Sequence, residues 1–260
     1  MKKKVLRLIF AAAITCGLVA CGNNTDSGIS AFGEKVSVST IESSAPASGE
    51  KTSVSSSERS PLSNAQVGSY VYFGSYEQDN NNSNGKENIE WLVLEKEDNR
   101  MLVISKYALD FQPYNDTWTE VTWETCSLRK WLNGKFLDAA FSTEEKNSII
   151  SSTVSADYNP KYDTPPGNNT TDKVFLLSIT EANKYFSSDS ARQCQGTAYC
   201  YAQGADESSN GNCWWWLRSP GYSSDTAADV REVGYVSKEG EAVHIDRDAV
   251  RPALWINLGS

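Results

Sequence analysis

"NCWWWLRSPGY", Asn212–Tyr222, sets three consecutive tryptophans in front of an arginine and a Ser-Pro-Gly-Tyr stretch. In an extended strand, side chains alternate between the two faces. Trp214, Trp216 and Arg218 would then share one face, and Trp215, Leu217 and Ser219 the other. The Trp215/Leu217 face is apolar up to the turn, which reads as core, because buried aromatics dominate core energetics. On the other face Arg218 brings a planar cation able to stack on a ring. Ser219–Tyr222 fits a type II turn, with Pro220 fixing one dihedral and Gly221 taking a positive φ. The tryptophans are thus expected to be a floor rather than a sugar-stacking platform. Tyr222, just past the turn, is the residue of this block placed to meet a ligand.

The flanking segments build the rest of a sheet. Ser69–Tyr76, Ile89–Glu97 and Met101–Leu109 are rich in β-branched and aromatic residues, and an Asn/Gly/Ser-rich loop separates the first two. Leu128, Trp131, Leu132 and Phe136 fall at helical spacing, which predicts a helix cut short at Gly134. Ser142 and Glu145 form a capping box for a second helix, and Thr180 is read as the cap of a third over Glu181–Phe186. Val174–Ser178 reads as a buried strand, and strands return at Glu232–Ser237, Ala242–Asp246 and Val250–Leu258. The expectation is an α+β fold, a mixed sheet closed by its terminal strands, with Tyr70–Tyr76 beside Val250–Leu258 and two to three short helices. Trp91, Trp131, Trp215, Leu217, Arg218, Arg251 and Trp255 are its expected structural core.

The N-terminus speaks to location. Lys2, Lys3, Lys4 and Arg7 precede an uncharged run from Leu8 to Ala20, too short for the ~20 residues of a spanning helix, which reads as an export signal over residues 1–20. Leu18-Val19-Ala20-Cys21-Gly22 is similar to the lipobox of bacterial lipoproteins. The resemblance implies a diacylglycerol thioether on Cys21 and a stable two-chain membrane anchor. Residues 21–63 are rich in Ser, Thr, Ala and Gly, a composition that cannot offset its own ordering entropy, so a disordered tether is expected before a single domain over 64–260. Loss of the leader's four basic residues takes the net charge from -9 to -13. Phosphate backbones would be repelled, so nucleic acid is not an expected partner.

Several chemistries fail on spacing. Cys126, Cys194, Cys200 and Cys213 remain in the domain, an even number that allows three disulfide pairings, and the sequence does not choose among them. No two of them have structural-zinc spacing. Asp79, Asn81, Ser83 and Glu90 occupy positions 1, 3, 5 and 12 of a calcium-type loop, but Gly85 falls one place late, which favours a solvated hairpin loop. His244 is the only histidine, on an expected hairpin strand, and no nucleophile-elbow motif accompanies it. Neither a metal nor a cofactor is expected.

"YVYFGSYEQD", "IEWLVL", "TWETCSLRKWLN", "TTDKVFLLSITEANKYF", "WWWLRSPG" and "VRPALWINL" together resemble an uncharacterised bacterial domain family of surface lipoproteins, whose core looks like the C-type lectin fold. The resemblance spans nearly all of 69–258. It implies a tolerant surface held between the last two blocks, of the kind that relatives of this fold use for display and binding. The calcium-binding lectin signatures Glu-Pro-Asn, Gln-Pro-Asp and Trp-Asn-Asp are absent. The formylglycine-generating oxidases share that architecture and hold copper on a close cysteine pair. "CQGTAYCYAQ" (Cys194–Gln203) resembles their stretch loosely, with five residues between Cys194 and Cys200 rather than four.

The expected function is an anchored extracytoplasmic ligand-binding or adhesion module, using the Gly221–Val250 surface toward a glycan or protein. Tyr222, Asp225, Arg231, Tyr235 and His244 are its candidate contact residues. A copper-dependent oxidase and a purely structural envelope protein are the alternatives.

Overall fold

The computed structural model describes residues 62–245 and 247–259. The leader, Cys21 and the tether as far as residue 61 lie outside the described residues, as does Asp246. Described strands are β1 (Tyr70–Tyr76), β2 (Glu87–Lys96), β3 (Arg100–Ser105), β4 (Asp110–Phe111), β5 (Ser152–Val154), β6 (Thr170–Asp172), β7 (Val174–Phe175), β8 (Trp215–Pro220), β9 (Thr226–Val230), β10 (Val236–Ala242), β11 (Ala249–Val250) and β12 (Ala253–Asn257). They form two five-stranded sheets, β1-β2-β3-β12-β7 and β10-β9-β8-β11-β4, and a separate β5-β6 pair. Pairing is antiparallel except between β8 and β11. The fold is mixed α+β, mostly sheet with short helices.

In the first sheet, β2 buries Ile89, Trp91 and Val93 on one face, as a period of two requires. The Trp91 indole donates to Phe73 O at 2.7 Å, so its one polar atom is satisfied inside the core. Gly74 sits in a bulge of β1 with φ +70°, and a Cβ there would meet the Phe141 ring at 2.6 Å. The terminal strands share this sheet but are not neighbours, contrary to expectation. β1, β2 and β3 are successive hairpin strands, so β2 is already paired on both edges. β1 and β3 each keep an outer edge; β12 takes that of β3, with Leu254 opposite Val103, and β1 stays at the edge of the sheet.

In the second sheet β8 is buried along its whole length, because β9 and β11 flank it and both faces are covered. Trp215 and Trp216 point to opposite faces and are both fully buried, with Trp216 against Tyr114 and Trp215 against the Arg251 guanidinium. Leu217, Arg218 and Arg251 are buried too. Trp131 and Trp255, expected in the core, are half-buried at its margin, Trp255 lying under Arg100. The expected type II turn is absent. Pro220 still belongs to β8, Gly221 has no positive φ, and its N–H continues the ladder to Thr226 O at 2.8 Å. The reversal comes later, closed by Thr226 N–H to Ser223 O at 3.0 Å. Glycine is needed at 221 for space, since a Cβ would run into Thr226 and the Glu239 carbonyl.

The helices are α1 (Ser127–Trp131), α2 (Leu137–Ala140), α3 (Thr143–Ser148), α4 (Ile179–Tyr185), α5 (Asp189–Arg192) and α6 (Ala198–Gln203), more than the two or three expected. Gly134 does not end the first: a π-helical turn, Leu132–Phe136, carries the chain from α1 into α2 and keeps Leu128, Leu132 and Phe136 buried. The Ser142/Glu145 capping box forms as read. The cap of α4 is Ser178 rather than Thr180, again in a reciprocal box, with Glu181. Val174–Ser178 is a strand only at Val174–Phe175, because Ser178 is drawn into that cap. Ala242 ends β10, and His244 lies in a turn rather than on the expected Ala242–Asp246 strand.

Candidate functional site

The β8–β9 reversal, the turn after β10 and the irregular loop after β4 meet at one end of the second sheet. Backbone hydrogen bonds stitch them together: Val243 N–H to Asp225 O at 2.9 Å, Asn115 N–H to Val243 O at 2.7 Å and Val121 N–H to Ser224 O at 2.9 Å. On this base stands Trp118, 68% exposed and the only tryptophan among the described residues with an exposed ring. Its indole N–H donates to Asp225 Oδ2 at 2.8 Å. One face of the ring is covered by His244, with centroids 5.2 Å apart and planes 17° from parallel. The Ser223 hydroxyl also donates to Asp225, and it and the Trp118 N–H hold that carboxyl below the usual range, so it is ionised at neutral pH.

Tyr222, 58% exposed, begins the same reversal and meets Tyr162 edge-on at 6.4 Å. The Tyr162 hydroxyl donates to Glu239 Oε1 at 2.9 Å, and Lys161 pairs with the same carboxylate, drawing its pKa down to about 2. Two exposed aromatic rings, Trp118 and Tyr222, thus flank the same reversal, Trp118 braced directly by the Asp225 carboxylate and Tyr222 set against Tyr162, whose hydroxyl is held by Glu239.

Of the five residues expected to act together, Tyr222, Asp225 and His244 share this end. Arg231 and Tyr235 do not, because the β9–β10 turn that carries them lies at the opposite end of the strands. Tyr235 is exposed there. Arg231 is committed internally: it lies over the Trp214 ring at 3.9 Å and pairs with Asp229 and Glu241. Trp118 was not among the sequence candidates. Its signal was an isolated tryptophan in a polar run, Asn115–Glu120, where no apolar stripe calls for a large ring.

Cys126, Cys194, Cys200 and Cys213 are free and buried. Cys194 and Cys200, the pair singled out by spacing, are not the closest association. The Cys200 thiol donates to Asp110 O at 3.2 Å, whereas Gln195 and Asn212 form an antiparallel bridge that sets Cys194 directly across from Cys213. Burial opposes ionisation of Cys194, yet the Cys213 thiol and the Arg251 guanidinium bring its pKa down to about 7.

The calcium-type spacing between Asp79 and Glu90 does not bring its numbered residues together. Glu90 is paired with Lys106 at 2.7 Å, and Asn81 Oδ1 accepts from Ser83. Glu77, Asp79 and Glu87 converge instead, beside a cavity of about 380 Å³ lined by Tyr72, Glu90, Tyr107 and Thr197. Glu77 and Glu87 accept from the backbone of Asn81 and Gln78, contacts that close the loop on itself.

Residues 98–258 match DUF6273, a domain of unknown function, and the chain belongs to that family. No curated protein and no solved structure matches the chain. Among the described residues no helix is long and apolar enough to cross a membrane.

Proposed function

We propose that this chain is a ligand-binding or adhesion module whose contact surface is centred on Trp118, Asp225 and His244 and extends to Tyr222. The observation that carries the reading is the exposed indole of Trp118, fixed at its N–H by Asp225 and on one face by His244. An immobilised ring with a free apolar face offers contact area at low entropic cost, which is why tryptophan is enriched at binding hot spots. Loops on a rigid sheet are the usual place for such residues. The finer arrangement is read as C-type-lectin-like, with the sheet end at Trp118 as its displayed surface. The leader and Cys21 would anchor the protein by lipid on the extracytoplasmic side, held out on the tether. The ligand class is a glycan or a protein presented outside the cell.

A glycan-array screen and an unbiased protein pull-down with the full chain in detergent test this, each run against Trp118→Ala. Ligands captured by the wild-type chain and lost in the variant support the reading. Capture that Trp118→Ala and Asp225→Ala leave unchanged removes this surface from it.

A further inference from the structure

A cavity of about 370 Å³ opens between residues 112–116 of the loop after β4 and residues 127–135 of the helical stretch that begins with α1. That is the size of a small-molecule site at the lower end of the usual range. Its two walls are fastened together where they meet. Leu128 N–H donates to Tyr114 O at 3.2 Å, Asp116 N–H to Ser127 Oγ at 2.9 Å and the Trp216 indole to Gln112 O at 3.1 Å. A cavity held in this way is ready-made, and little has to be ordered when a ligand enters.

Three features of the helical wall have no use in packing. The first is Gly134. Its φ is not positive and a Cβ there would meet nothing within 4 Å, so neither conformation nor crowding calls for glycine. Glycine inside a helix is destabilising relative to alanine, and what the missing side chain leaves is open space in the cavity wall. The second is the π turn, Leu132–Phe136. Residues five apart point well away from each other on an α-helix, whereas the wider π turn brings Lys135 round to the side of Lys130, and both line the cavity. The third is that neither ammonium group is committed. Elsewhere Lys106, Lys146, Lys161 and Lys184 pair with carboxylates, and Lys86, Lys96 and Lys173 bind backbone carbonyls. Lys130 and Lys135 have no hydrogen bond or ion pair among the described residues. In a chain with 33 acidic and 24 basic residues, two uncommitted cations thus share one cavity wall.

The two ammonium groups call for an anion. Asp116 on the facing wall also lacks an ion pair among the described residues, and it opposes a second negative charge, which favours a carboxylate over a phosphate. Asp116 is acceptor-only and the Gln112 amide both donates and accepts, needs that sugar hydroxyls meet. Trp131, set at 5.4 Å against the buried Phe136 ring, and Pro113 add apolar surface beside these polar groups. An acidic sugar combines the carboxylate, the hydroxyls and a C–H ring face in one small ligand.

We propose that this cavity binds a sugar of the uronic-acid type, with its carboxylate at Lys130 and Lys135, its hydroxyls at Asp116 and Gln112, and its ring face on Trp131. The site goes beyond the Trp118 surface and does not rest on it, since Trp118, Tyr222, Asp225 and His244 take no part in the lining.

The test titrates the full chain in detergent with glucuronate, glucose and glucose phosphate, read by saturation-transfer NMR. Saturable glucuronate binding is expected, at least about tenfold tighter than that of either comparison sugar. Lys130→Gln combined with Lys135→Gln removes two exposed charges and should weaken glucuronate by at least about tenfold without moving the urea midpoint. Gly134→Leu should block the cavity while raising the urea midpoint, which separates blocking from unfolding, and Trp118→Ala should leave glucuronate binding unchanged. Absence of saturable glucuronate binding overturns the proposal, as does equal or tighter binding of glucose or glucose phosphate. Binding that survives both the lysine double variant and Gly134→Leu, or that is lost in Trp118→Ala, also overturns it.

Discussion

The imidazole of His244 lies flat against the indole of Trp118, 5.2 Å from centroid to centroid, although the two residues come from segments on either side of most of the domain. Asp225 holds the edge of the same indole from a third segment. The ring is thereby fixed in water, a place where a large apolar side chain does nothing for the core. Trp118→Ala is expected to cost about 2 kcal/mol of ligand affinity, roughly thirtyfold, once a ligand is in hand, with little change in the urea midpoint. A matching fall in stability would instead mark Trp118 as a packing residue.

The exposure of that ring has a spectroscopic consequence. The chain has eight tryptophans, and among the described ones the others are buried or half-buried. Trp118→Phe should remove most of the fluorescence that acrylamide quenches readily. Unchanged quenching would place the accessible indole elsewhere.

Arg218 is expected to be the most sensitive charged residue of the core. It is 3% exposed, donates to Leu176 O at 2.8 Å and to Glu181 Oε1 at 3.0 Å, and so links β8 to the cap of α4. Removing one partner of a buried pair typically costs about 3–5 kcal/mol, because the other charge is left uncompensated. Arg218→Ala should lower the urea midpoint accordingly, and Arg218→Ala combined with Glu181→Ala should cost less than the two separate losses together. Strict additivity would show that the pair is not coupled.

The corrected cap of α4 separates two neighbouring hydroxyls. Ser178 is buried and accepts from Glu181 N–H at 3.2 Å, while Thr180 is exposed. Ser178→Ala should cost about 1 kcal/mol and Thr180→Ala close to nothing, read from denaturant curves. Equal costs would contradict the assignment.

Under oxidising conditions Cys194 and Cys213 are the pair expected to join, since among the described cysteines only these two face each other across an antiparallel bridge. Non-reducing peptide mass spectrometry should find the Cys194–Cys213 crosslink in the wild type and in Cys200→Ser. A Cys194–Cys200 crosslink as the main product would overturn that pairing.

Much of this molecule was legible one segment at a time. The alternation in Ile89–Val93, the capping box at Ser142 and the buried Trp215/Leu217 face needed only near neighbours in the chain. The reading slipped wherever a competing local signal was plausible. Pro220-Gly221 looked like a turn because those residues favour one, yet pairing with β9 carried the strand through them. Gly134 looked like a helix end, but the apolar positions around it had enough core contact to continue as a π turn. At the candidate site, Tyr222, Asp225 and His244 were visible as polar or aromatic residues after the Trp214–Trp216 block, although His244 lies in a turn rather than on a strand, whereas Arg231 and Tyr235 were joined to them only by nearness in sequence.

Amino-acid order alone determined the longer strands of the first sheet, the strand at Trp215–Leu217 and which residues are large enough to fill a core. Those properties arise from side-chain size, alternation and capping, which act over a few residues. Only the tertiary structure decided that β12 lies against β3 rather than β1, that Arg231 turns inward onto Trp214, and that Trp118 stands beside His244 and Asp225. Such placements depend on which strand edges are left unpaired and which loops those pairings bring to the same end, and no short stretch of chain carries that information.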